Sequence, residues 1–135
     1  FFDISRNYII RDFKLLKKLI NFNFIDFIDI KKDNQLNKSN LDYFNNYSSK
    51  ENIFIKTGVF LSDKSQKDNK SLQDFIKLLF NDRQYIISND LFELYGCRNL
   101  IFILSKNTLT YNEINKINSS LNEFPGDVIG WFIFI

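Results

Sequence analysis

Apolar positions along this chain follow two rhythms, one of helices and one of buried strands. In IIRDFKLLKKLI, Ile9, Phe13, Leu16 and Ile20 recur at helical spacing, which predicts an amphipathic helix near the amino terminus. Arg11, Lys14, Lys17 and Lys18 are interleaved with that stripe and make the helix basic. FIDFIDI fits either an extension of this helix or a strand. KKDNQLNKSN, which carries Lys31 and Lys32 at its start, reads as a polar linker. LDYFNNYSS reads as a short helix capped by Ser39 or Asn40. NIFIKTGVFL reads as a strand interrupted at Thr57 and Gly58. After the solvated stretch SDKSQKDNKS, the residues Leu72, Phe75, Ile76 and Leu79 form one stripe behind Ser71. That spacing predicts a capped helix over 71–81.

Beyond it, YIISN and NLIFILS are short runs apolar on both faces, as in a sheet covered on both sides. Thr110 and Glu113 have capping-box spacing, and Ile114, Ile117 and Leu121 continue a helix on one face. FPG stops that helix, and DVIGWFIFI is a last strand. Strand and helix alternate, so an α/β fold is expected. The expectation is a single sheet of about four strands, near 53–57, 85–88, 100–104 and 128–134, covered by helices near 71–81 and 110–122. An N-terminal helical extension, residues 1–38, would precede an α/β domain over 39–135.

Composition narrows the chemistry. Ile, Lys, Asn and Phe dominate, while alanine, methionine and histidine are absent. The abundant residues have A/T-rich codons, so the bias reads as genomic and points to a protist or an organelle genome. The absence of histidine removes the usual general base and the usual triads. The single Cys97 excludes an internal disulfide and a Cys-rich metal site, and it favours a reducing compartment. Gly58, Gly96, Gly126 and Gly130 form no phosphate-binding loop. Asp26 with Asp29, and Asp63 with Asp68, read as solvated surface. Cys97 lies between Gly96 and Arg98, which makes a lowered thiol pKa conceivable, and a structural cysteine at a strand start is the favoured reading. Neither an apolar run of membrane-spanning length nor a signal-like leader is found, so a soluble chain without membrane insertion is expected. The formal net charge of +2 is too small to define a nucleic-acid surface, so any such surface must be local.

The order of elements from about residue 40 onward resembles the stalk-base protein of the large ribosomal subunit, the L ten or P zero family. LDYFNNYSSKENIFIKTGVFL resembles the family's first helix and strand, with Lys56 and Gly58 at the turn. SLQDFIKLLFNDRQ resembles its second helix. YIISNDLF is similar to its strand-asparagine motif, with Asn89 on the asparagine as the expected cap of the next turn. YGCRNLIFILS is similar to its glycine-led strand, with Gly96 on the glycine, and VIGWFIFI to its closing strand. Ser88 stands where the family has a basic residue. SKNTL at Ser105–Leu109 spells the motif more literally, but using it leaves too little chain for the remaining elements.

The resemblance implies a non-enzymatic structural protein of a mitochondrial ribosome in the matrix. It would bind large-subunit rRNA at the stalk base, beside neighbouring ribosomal proteins and stalk proteins, with no cofactor and no metal. Phosphate contact needs Lys and Arg. The candidates are Arg11, Lys14, Lys17, Lys18, Lys31, Lys32 and Lys56, with Gly58, Asn89 and Gly96 as structural letters. The main alternative is an accessory subunit of an organellar respiratory or ATP-synthase complex. A small α/β enzyme would need a polar pocket at the strand ends, for which Cys97 and Arg98 are the only residues that stand out.

Overall fold

The computed structural model describes residues 8–29, 56–80 and 83–135. In chain order they form α1 (Phe13–Leu19), β1 (Phe24–Ile28), β2 (Thr57–Leu61), α2 (Lys70–Phe80), β3 (Tyr85–Ser88), β4 (Asn99–Ser105), α3 (Tyr111–Leu121) and β5 (Asp127–Phe134). Short 3-10 turns occupy Lys64–Gln66 and Leu91–Leu94. The strands make one five-stranded sheet in the order β1-β5-β4-β2-β3. Every pairing is parallel. The α/β class is as expected, with five strands rather than about four.

A parallel sheet must be covered on both faces, and its central strands then lose the alternation of apolar and polar positions. All of β4 is buried, from Asn99 to Ser105. On one face Val59, Leu61, Ile101, Ile103 and Phe132 pack with Leu72, Phe75, Ile76 and Leu79 of α2. On the other, Leu100, Phe102, Leu104, Trp131 and Ile133 pack with Leu16 of α1 and with Ile114 and Ile117 of α3. The α2 stripe is therefore the expected one. Its cap is Asn69 rather than Ser71, since the Asn69 carboxamide oxygen accepts from the Leu72 amide at 3.2 Å.

The amino-terminal reading changes most. The helix spans Phe13–Leu19 only, because Asp12 caps it by accepting from the Lys14 amide at 3.0 Å. Ile9 lies outside it, exposed and bridged to Thr110, while Ile10 is buried in its place. FIDFI resolves as the edge strand β1, parallel to β5. Residues 24–28 are thus part of the sheet and not an extension before it. The first strand expected near 53–57 runs instead over Thr57–Leu61, with Thr57 and Gly58 inside it. A Cβ on Gly58 would stand 2.7 Å from Leu100 Cδ2, which explains a glycine in mid-strand. The linker, the short helix of 41–49, and Lys31 and Lys32 lie outside the described residues. Among the described residues no helix is long and apolar enough to cross a membrane.

Candidate functional site

Ligands of open parallel sheets sit beyond the carboxyl ends of the strands, at the place where the strand order reverses. Here β2 is followed by β3 on one side, and then by β4 and β5 on the other. The order β3-β2-β4-β5 is that of doubly wound sheets, with the outer position beyond β5 taken by β1. The reversal therefore falls between the carboxyl ends of β2 and β4.

Local hydrogen bonds build that end. Ser62 follows β2, and its hydroxyl accepts from the Ser105 amide at 2.8 Å, tying the two strand ends together. The chain then turns through Asn107 in the left-handed region, φ 61°. Thr108 Oγ1 donates to the Ser105 carbonyl at 2.7 Å, and Leu109 drops into the core. Thr110 caps α3 by accepting from the Glu113 amide at 3.3 Å, which presents Glu113 on the first turn. After β3, Ser88 Oγ donates to the Glu93 carboxylate at 2.6 Å and accepts from the Asp90 amide at 3.0 Å. Asp90 accepts from the Phe92 amide at 3.0 Å and caps the 3-10 turn. The turn after β3 is therefore capped by Ser88 and Asp90. Asn89 stands exposed between them and takes no part, contrary to its expected role.

These ends border an open cleft of about 250 Å³ with an apolar floor of Phe60, Leu91, Leu109 and Ile117. Its polar rim is Ser62, Asn89, Asp90, Glu113, Lys116 and Ser120. The charges on that rim are Asp90, Glu113 and Lys116, a net negative set. Such a rim offers acceptors for hydroxyl or amine donors, above a floor suited to an apolar face. Among the described residues no cluster of His, Cys, Asp and Glu could hold a metal.

The residues expected at a site are distributed otherwise. Arg11, Lys14 and Lys18 are exposed on or beside α1. The Lys17 ammonium lies 5.6 Å from the ring centroids of both Phe13 and Phe24, so its charge is held against an aromatic face. Lys56 precedes β2 at the amino edge, with β4 and β5 between it and β1. Cys97 and Arg98 line a different cavity, also at the amino edge. Burial pushes the Cys97 thiol up, partly offset by the charge of Lys56, so the structural reading of this cysteine holds against the reactive one. A polar-rimmed pocket of the kind a small α/β enzyme would need does lie at the carboxyl ends of the strands, but residues other than Cys97 and Arg98 line it. Ser62 directly follows the buried strand β2 and Asp90 lies two residues after β3, and that strand-end position was the available signal; Glu113 enters from the first turn of α3. Gly96, the other expected letter, has open space where a Cβ would stand.

Comparison with protein-family models, with curated proteins and with solved structures returned no match to this chain.

Proposed function

We propose that this chain is a small-molecule-binding α/β domain whose ligand lies in the cleft at the carboxyl edge. The observation that carries this is the coincidence of an open, polar-rimmed cleft with the reversal in strand order. The ligand has hydroxyl or amine donors for Asp90 and Glu113 and an apolar face for Phe60, Leu109 and Ile117. Adenosine is a suitable probe, since it joins a planar ring to a vicinal diol. Titrated into the isotopically labelled chain, it should shift the amides of Ser62, Asp90, Leu109 and Glu113 together. Glu113→Gln should weaken that binding by about tenfold, the loss of one charge-assisted hydrogen bond. Shifts absent from these positions, or scattered over the surface, would overturn the reading.

A second reading keeps the stalk-base function. The observation in its favour is that Arg11, Lys14 and Lys18 are exposed along one short segment, the local charge cluster that phosphate contact requires. Lys17 contributes less, because the rings of Phe13 and Phe24 hold it. On this reading, Lys14→Glu with Lys18→Glu releases the protein from large ribosomal subunits in a sucrose gradient while its unfolding midpoint is unchanged. Failure of the unmodified protein to co-sediment with ribosomes would remove the reading altogether.

A further inference from the structure

The rim of the carboxyl-edge cleft carries charges of both signs, and α3 sets two of them in a row. Glu113, Lys116, Ile117 and Ser120 all line the cleft, at the i, i+3, i+4 and i+7 spacing of one helix face. Glu113 stands on the first turn of α3, and Lys116 follows with a rise of about 4.5 Å along the axis. Asp90 comes from the opposite wall, where it caps the Leu91–Leu94 turn. One of its oxygens accepts from the Phe92 amide at 3.0 Å, and the carboxylate keeps further acceptor capacity. Asp90, Glu113 and Lys116 are all exposed.

These three charges narrow the ligand. A carboxylate only accepts hydrogen bonds, and an ammonium only donates them. A neutral diol satisfies Asp90 and Glu113 but brings no negative charge to Lys116. A phosphate-type anion suits Lys116, yet the acids outnumber the base on this rim and repel it. A plain amine pairs with the acids and sets a like charge beside Lys116. A zwitterion meets all three. In an α-amino acid the ammonium nitrogen and the carboxyl carbon lie about 2.5 Å apart across one carbon, a separation that Glu113 and Lys116 can bracket. The remaining substituent is then free to meet the floor of Phe60, Leu91, Leu109 and Ile117. The Phe60 ring, 5.3 Å from that of Phe102, offers an aromatic side chain a partner there.

We propose that the cleft takes a free α-amino acid with an apolar or aromatic side chain. Its ammonium lies between Asp90 and Glu113, its carboxylate on Lys116, and its side chain on the floor beside Phe60. The inference rests on the ligand-binding reading of the cleft and names the class of ligand. Because the three charges are exposed, water screens each ion pair and each contributes modestly. Discrimination comes from making both pairs at once.

Probes that share one apolar part and differ in charge test this. L-Phenylalanine carries both charged groups, phenethylamine lacks the carboxylate, and 3-phenylpropionate lacks the ammonium. Each is titrated into the isotopically labelled full chain, with adenosine alongside, while the amides of Ser62, Asp90, Leu109 and Glu113 are followed. L-Phenylalanine should bind about fivefold more tightly than phenethylamine, and 3-phenylpropionate should bind weakest, as an anion on a net negative rim. In Lys116→Gln the advantage over phenethylamine should vanish, and in Glu113→Gln the advantage over 3-phenylpropionate should shrink. If adenosine shifts these amides and L-phenylalanine does not, the amino-acid assignment is wrong while the cleft reading stands. The same holds if L-phenylalanine is no tighter than phenethylamine, or keeps its advantage in Lys116→Gln. If no compound shifts them, both fall.

Discussion

Removing residues 1–29 should abolish cooperative unfolding of the remaining chain. The segment is built into the domain at several points. β1 pairs with β5 from Phe24 against Trp131 to Ile28 against Phe134. The Trp131 amide donates to the Asn23 carbonyl at 2.8 Å, and the Trp131 indole donates to the Phe22 carbonyl at 3.1 Å. Asn118 of α3 donates to the Leu19 carbonyl at 2.8 Å and accepts from the Asn21 amide at 3.2 Å. The Ile10 amide donates to the Leu109 carbonyl at 2.7 Å, beside the cleft. Ile10, Leu16, Ile20, Ile25 and Ile28 are all buried. At roughly 2 kcal/mol for each buried aliphatic side chain, these alone contribute about 10 kcal/mol, which is the size of a whole domain's stability. The truncated chain would also expose β5 as an apolar edge strand prone to association. Urea denaturation followed by circular dichroism checks the result. A sigmoidal transition of ordinary midpoint in the truncated chain would show that the segment is a dispensable extension after all.

That outcome bears on what could be read from residue order. The helix α2 and the strands β3, β4 and β5 were legible because their patterns are local. One apolar stripe, or one unbroken apolar run, fixes each without reference to the rest of the chain. The amino-terminal segment was not legible, because its structure depends on partners far along the chain. Ile9 and Phe13 have helical spacing, yet the Asp12 cap and the pairing of Ile9 and Ile10 with Thr110 and Leu109 decide where the helix begins. FIDFI becomes a strand only because β5 supplies its neighbour. The cleft was partly legible. Asn89 marks a strand end in the sequence, but the reversal in strand order that makes such an end matter is a property of the whole sheet. Buried Asn99 gave no local signal either. It lies in register with Thr57 and Asp127 at the amino edge, and its Oδ1 has no hydrogen-bond partner.

Gly130→Ala should be strongly destabilising, since it adds a methyl group where neither the backbone nor the neighbours leave room. Gly130 has φ +158°, a conformation L side chains rarely adopt. A Cβ there would stand 2.5 Å from the Asn23 carbonyl oxygen and 2.7 Å from Ile25 Cγ1. Neither can yield easily. The Asn23 carbonyl is held by the Trp131 amide, and Ile25 is buried in the core beneath β1. Gly130 also sits at the register shift between β4 and β5. The irregularity places Ile129 in one core and Trp131 in the other, where strict alternation would put both on one face. A side chain at 130 therefore works against the backbone, the β1 contact and the assignment of Trp131 at once. Backbone strain and overpacking together should cost about 3 kcal/mol, lowering the thermal midpoint by roughly 10 °C. Gly96→Ala is the control: a Cβ there meets nothing within 4 Å, so the midpoint should stay within about 2 °C. Differential scanning calorimetry of the two variants separates the cases. Equal midpoints would mean that β1 does not press on β5 at Asn23 and Ile25, and the seam that joins the amino-terminal segment to the sheet would have to be redrawn.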